Sequence, residues 1–369
     1  MSATYSCRSC GRRYAYDVDG CTWCGIALEV HDPESGTVRA VTQVTVPSRG
    51  HEEVPYWCVL TEDESGVLGI LKSDTHVDMG DAIPLRGPRS ADLAVVGVVG
   101  TGVMGRGLAE LLLSRGHRTV WCGRSSESLA NATERVFDRL ARVMDDSQLS
   151  HARELLTVDT RFAPLVGCDV VIEAVVEEMQ VKRGVLPEIE KSIRPEAILV
   201  TNTSGLSIDE LAETLSEPGR FGALHFFNPA TRMRLVEVAV SSRTTDETRR
   251  FLEAFARSLG KVPIEVAATP AFAVNRALMP LLNEAVRELE EQVASAEAID
   301  EAIRLGLNHP MGPLALADLI GLDVVVDIMQ NLAERTADDS YAPRPLLLEL
   351  VAQGHLGRKS GRGFYEYLR

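Results

Sequence analysis

The chain has 369 residues, with 38 lysines and arginines against 53 aspartates and glutamates and a formal net charge of -15. That length asks for two or three domains, and 45% hydrophobic with 25% charged residues excludes a disordered or fibrous chain. The acidic balance argues against a general nucleic-acid surface. With no bilayer-length apolar run and no apolar leader core in residues 1–13, a soluble cytoplasmic protein without a membrane partner is expected.

Four of the seven cysteines fall in the first 24 residues. Cys7 and Cys10 form one Cys-x-x-Cys knuckle, Cys21 and Cys24 a second, and Gly11 and Gly25 follow to permit tight turns. This is zinc-ribbon spacing over residues 1–30, and four thiolates complete a tetrahedral, structural zinc site. Paired redox disulfides or an iron site are the alternatives from the same ligands. Cys58, Cys122 and Cys168 stand singly in apolar runs and read as buried small hydrophobes.

Residues 37–41, 56–60 and 67–71 alternate apolar and polar side chains, which predicts a small antiparallel barrel or sheet across 31–88. Residues 83–90 hold two prolines and a glycine and read as a linker. Beyond it, apolar strand runs at 93–99, 120–122 and 170–174 alternate with helical periods at 104–113 and 129–144. That alternation predicts a doubly wound parallel sheet, an α/β domain over 91–270. From Phe272 the strand signals stop and helical patterns at 277–289 and 299–305 take over, so residues 271–369 are expected to be all-helical.

Gly100-Thr-Gly102-Val103-Met104-Gly105 follows a valine-rich strand and opens a helix, the setting a dinucleotide-binding turn requires. The position closing the second strand, where a carboxylate would bind a ribose 2′-hydroxyl, is Gly123, followed by Arg124, Ser125 and Ser126. A guanidinium and hydroxyls suit a 2′-phosphate, which favours NADP over NAD. The alternative is that Arg124 is a solvated surface side chain. Arg135, Arg139 and Arg142 share a face of the following helix and are candidates for an anionic group, or equally a solvated row.

Several motifs then occur in one order: Glu173-Ala174, Glu177 with Lys182, Asn202-Thr203-Ser204, His225-Phe-Phe-Asn228-Pro229, Leu235-Val-Glu237-Val238, Val274-Asn275-Arg276, Pro310-Met-Gly-Pro313 and the glycine-rich run from Gly357 to Tyr365. Over about three-quarters of its length the chain thereby resembles the L-3-hydroxyacyl-CoA dehydrogenases. The resemblance implies an oxidoreductase interconverting 3-oxoacyl and (S)-3-hydroxyacyl thioesters of CoA or an acyl-carrier protein, with a nicotinamide cofactor. It implies His225 as acid-base, oriented by Glu237, with Ser204 and Asn275 on the substrate oxygen and Asn228 near the histidine. Glu177, Lys182 and Asn202 fall on the cofactor side, the arginine row near the CoA 3′-phosphate, and a homodimer through the helical domain is implied.

Two departures stand out: Ala268-Thr-Pro-Ala271-Phe272 where the family has Asp-Thr-Pro-Gly-Phe, and Gly205 where it has a second serine. Both are expected near the substrate. The first 86 residues resemble the rubredoxin-like ribbon plus OB-fold proteins that accompany acyl-CoA enzymes, so residues 1–88 suit docking of an acyl-enzyme partner. A rival reading is an acyl-thioester-binding scaffold subunit, which the intact Ser204, His225, Glu237 and Asn275 argue against. A dehydrogenase of free hydroxy acids would rely on a catalytic lysine and lack the His-Phe-Phe-Asn-Pro run.

Overall fold

In the computed structural model the chain divides into two compact units, Met1–Ser90 and Ala91–Arg369. The structure describes residues 94–367 continuously and, in the first unit, the strands named here together with residues 78–80.

In the first unit, β1 (Thr4–Ser6) pairs antiparallel with both β2 (Arg13–Tyr14) and β3 (Glu29–His31). A second antiparallel sheet contains β4 (Ser35–Val44), β5 (Tyr56–Asp63), β6 (Leu68–Ser73) and β7 (Ala82–Pro84), in the order β6-β5-β4-β7. The three alternating stretches fall in β4, β5 and β6, as period-two patterning requires. The linker expected from Ile83 starts later, because Ile83 and Pro84 pair with Gly36 and Ser35. Proline is tolerated there because β7 is an edge strand. Cys7, Cys10, Cys21 and Cys24 lie outside the described residues.

The second unit opens with β8 (Val96–Val99), α1 (Val103–Ser114), β9 (Thr119–Cys122), α2 (Ser126–Leu140), α3 (Asp146–Glu154) and β10 (Leu156–Asp159). It continues through β11 (Val170–Glu173), α4 (Met179–Ser192), β12 (Ile198–Thr201), α5 (Ile208–Ala212) and β13 (Phe221–Phe226). Then come β14 (Leu235–Val240), α6 (Asp246–Ser258) and β15 (Val262–Glu265). The sheet order is β10-β9-β8-β11-β12-β13-β14-β15, parallel except where β14 runs against β13. β8, β9 and β11 are buried at every residue, which is why they read as unbroken apolar runs.

Helices cover both faces. Leu108, Leu112, Trp121 and Phe255 fill one apolar layer, and Leu165, Leu186, Ile189 and Leu211 the other. Cys122 and Cys168 are buried in the second layer, and burial pushes each thiol up to about 12, so both are chemically quiet.

The C-terminal part is helical, as expected: α7 (Val274–Glu290), α8 (Ala296–Gly306), α9 (Pro313–Ile320), α10 (Leu322–Thr336) and α11 (Pro345–Ala352). Met279, Leu282, Leu314, Val325, Met329 and Leu347 make their shared core. The glycine-rich run folds over buried Asp318, whose carboxylate accepts from the Phe364 and Tyr365 N–H groups and the Tyr367 hydroxyl. A β-carbon at Gly363 would fall 1.9 Å from an Asp318 oxygen, so glycine is required. Among the described residues no helix is long and apolar enough to cross a membrane.

Candidate active site

The turn between β8 and α1 is built by glycine. Gly100 has φ +120°, and a β-carbon on it would sit 2.3 Å from the Ala174 carbonyl oxygen; one on Gly105 would sit 2.0 Å from the Gly100 oxygen. At Gly102 an added β-carbon meets nothing within 4 Å, because that residue faces an open cleft of about 840 Å³. The Trp121 indole N–H donates to the Gly100 carbonyl at 2.8 Å and pins the turn. Gly102 gives α1 no side-chain cap, so the leading N–H groups of α1 and its positive dipole end are offered to the cleft. Gly100, Gly102, Val103, Met104, Gly123, Arg124 and Ser125 all line it, with Glu177, Asn202 and Ser204 across. A glycine cradle on a helix N-terminus, opening on a cleft of this size, fits a dinucleotide.

β9 ends at Cys122, so Gly123 does occupy the strand-closing position. Arg124 is exposed and makes no ion pair or hydrogen bond among the described residues. Ser125 caps α2, accepting from the Ser128 N–H at 3.2 Å.

The Glu177 carboxylate accepts from the Thr203 hydroxyl at 2.5 Å and the Ser204 N–H at 2.7 Å. Lys182, expected on the cofactor side, reaches the cleft-lining Glu177 carboxylate from behind. Its side chain is fully buried behind the cleft, 2.8 Å from Glu173 and 3.4 Å from Glu177. Glu173 also accepts from the Val175 N–H and the Thr201 hydroxyl, so the buried pair is fully hydrogen-bonded. Lys182 therefore holds the carboxylate that holds the Ser204 loop. The Asn202 side-chain oxygen accepts from the Phe226 N–H at 3.1 Å, tying that loop to the end of β13.

His225 and Glu237 are direct partners in the antiparallel β13–β14 register. Side chains of directly opposed residues lie on the same face, and here His225 Nδ1 and Glu237 Oε2 are 2.7 Å apart. Both are buried. The rings of Phe227 and Phe272 lie 4.5 and 5.6 Å from the imidazole, and Nε2 has no hydrogen-bond partner among the described residues. The second Glu237 oxygen accepts from the N–H groups of Ala273 and Val274 at 3.0 and 2.9 Å, capping α7. Burial opposes ionisation of Glu237, but the His225 hydrogen bond and these two N–H groups outweigh it and hold the carboxyl below its ordinary range.

Asn275 is half-buried in the first turn of α7, immediately after the residues Glu237 caps. Asn228 is exposed beyond β13 and its side chain makes no hydrogen bond to the His225 ring. In the arginine row, α2 ends at Leu140, so Arg142 lies in the following turn while Arg139 pairs with Glu110 at 3.3 Å. Desolvation first, and then the charges of Arg135 and Arg139, lower the pKa of Arg106, so these three cations are neighbours.

Residues 95–269 match the family described as 3-hydroxyacyl-CoA dehydrogenase, NAD binding domain, and residues 272–367 match its C-terminal domain. The chain belongs to the 3-hydroxyacyl-CoA dehydrogenase family. A probable 3-hydroxybutyryl-CoA dehydrogenase of Deinococcus radiodurans is 41% identical over 275 residues, spanning 73% of this chain and 99% of that one. A 3-hydroxybutyryl-CoA dehydrogenase of Bradyrhizobium diazoefficiens is 41% identical over 283 residues, 75% and 97% of the two chains. The crystal structure of (S)-3-hydroxybutyryl-CoA dehydrogenase from Ralstonia eutropha superposes with a TM-score of 0.71 at 40% identity, covering 75% of this chain and 100% of that one. The protein is thus an oxidoreductase of hydroxyacyl thioesters with a nicotinamide dinucleotide site.

Sequence reasoning missed two supports of this dehydrogenase site. Glu173 was noted only as part of a motif, although it is the counter-ion of Lys182. Lys261 is buried and donates to the carbonyls of Ala230 and Met233 at 2.5 and 2.9 Å, fixing the turn that joins β13 to β14. The signal available for Lys261 was a lone lysine between a glycine and an apolar strand, which is ordinary on a surface.

Proposed function

We propose that the chain interconverts 3-oxoacyl and (S)-3-hydroxyacyl thioesters, with His225 exchanging a proton with the C3 oxygen. When bound, the nicotinamide supplies or accepts the hydride. The observation that carries the reading is the buried 2.7 Å His225–Glu237 contact, which leaves Nε2 as the ring nitrogen open to a substrate. In reduction the imidazolium gives its Nε2 proton to the forming alkoxide, and the Glu237 carboxylate stabilises the cation until then. Ser204 and Asn275 donate hydrogen bonds to the same oxygen. The phenyl rings beside His225 exclude water from the proton transfer. His225→Gln should lower kcat with acetoacetyl-CoA by about 10²- to 10⁴-fold while the cofactor dissociation constant stays put. Retained turnover would sink the assignment.

For the cofactor we favour NADP. Gly123 offers no carboxylate to repel a 2′-phosphate, and Arg124 lines the cleft with no competing acidic partner among the described residues. Reduction is then the favoured direction, since an NADPH pool is generally kept reduced. Arg135 and Arg139 would meet a CoA 3′-phosphate, and a carrier-protein thioester is the same electrophile on another arm.

Cys7, Cys10, Cys21 and Cys24 are proposed to hold a structural zinc in a ribbon preceding an OB-like barrel, which would serve a cytoplasmic homodimer as a docking unit for an acyl-enzyme partner. One zinc per chain in protein purified without added metal is the expected analysis, and iron or no metal would reject it.

A further inference from the structure

The loop after Ser204 touches two places in the chain beyond residue 270. Gly205 is pressed against the junction between the sheet domain and α7: a β-carbon there would lie 2.7 Å from the Ala271 nitrogen and 3.0 Å from its Cα. The obstacle is backbone, so a rotamer change cannot relieve it. The junction is itself constrained, because Ala271 and Phe272 are consecutive non-glycine residues in the left-handed region, at φ +60° and +51°. Both are buried, and the Phe272 ring rests 5.6 Å from His225. From the other side the Gly205 carbonyl accepts a hydrogen bond from Arg335 of α10 at 2.8 Å, and a second Arg335 nitrogen lies 3.6 Å from Glu210.

We propose that Gly205 and Arg335 are positioning residues for the reaction. The bare α-carbon of Gly205 lets the Ser204 loop close on Ala271, and Arg335 fastens that loop to the helical domain. Together they set the separation between Ser204 and the His225 ring through Phe272. The two sequence departures at 205 and 271 then meet in one contact, where the Ala271 backbone limits what residue 205 can carry. This rests on the functional reading of Ser204 and His225 given above.

The test is steady-state kinetics with acetoacetyl-CoA, cofactor affinity by fluorescence titration, thermal melting, and the His225 ring signals in a ¹H–¹⁵N NMR spectrum of the full chain. Gly205→Ser should lower kcat on the order of tenfold to a hundredfold with unchanged cofactor affinity, since a small misplacement of reacting groups costs that much. Adding Ala271→Gly, which frees the junction backbone to retreat, should recover most of the loss. Arg335→Met should lower kcat and shift the His225 signals, Arg335→Lys should retain most activity, and Arg304→Met on α8 should do nothing. A Gly205→Ser enzyme at full speed, or one whose loss Ala271→Gly leaves untouched, overturns the proposal. Should Gly205→Ser fail to fold, Arg335→Met decides: wild-type kcat with unmoved His225 signals overturns it. A wild type inactive on acyl thioesters would count against the functional reading, and the NMR comparison would still judge the contact.

Discussion

Arg124 is the residue on which the proposed preference for NADP rests. It lines the cleft beside Gly123, at a strand end where a ribose 2′-hydroxyl would call for a carboxylate. Arg124→Asp should move the NADPH to NADH ratio of kcat/KM at least about tenfold toward NADH, the worth of one lost charge-assisted hydrogen bond. A wild type preferring NADH ends the idea. Gly100, Gly102, Gly105, Ser204, His225 and Glu237 were legible in the sequence because a turn or a motif marks each. Lys182 was read as a cofactor-side residue, but its pairing with Glu173 was not legible, since no local pattern joins a helix lysine to the carboxylate ending the preceding strand.

Among elements, β8, β9 and β11, buried at every residue, were the easiest to read, whereas β13, equally buried, was not picked out as a strand and β10 was missed. It is a sheet-edge strand of four residues with two of them exposed, and so carries little apolar signal. α2 stops at Leu140 rather than running to residue 144, because α3 starts at Asp146 behind the capping box of Asp145 and Gln148, and residues 141–144 must turn between them. The element with most at stake is α7, which is capped by the Glu237 carboxylate proposed to orient His225. Glu237 has a depressed pKa in the fold, so its stabilising contribution is fully present above the unfolded value of about 4.3 and is lost as pH falls through the folded value. Glu237→Gln should therefore cost about 1–2 kcal/mol near neutrality. Melting curves should show that gap narrowing below about pH 4. A gap independent of pH would show that the charge contributes nothing.

For the molecule as a whole, the change from alternating strands and helices to helices alone was visible at Phe272, because strand periods simply cease. How the two parts share one site was not visible, since no local pattern encodes a hydrogen bond between a β14 carboxylate and a helix thirty-odd positions on. That bond has a consequence for dissection of the chain. A polypeptide cut after residue 270 keeps every glycine of the dinucleotide turn but loses the amides that pin Glu237. It should remain a receptor for the nicotinamide coenzyme, measurable by calorimetry, and yet be inert toward acyl thioesters even when the missing half is supplied at low concentration. Ligand recognition and reactivity would thus part company at a single peptide bond.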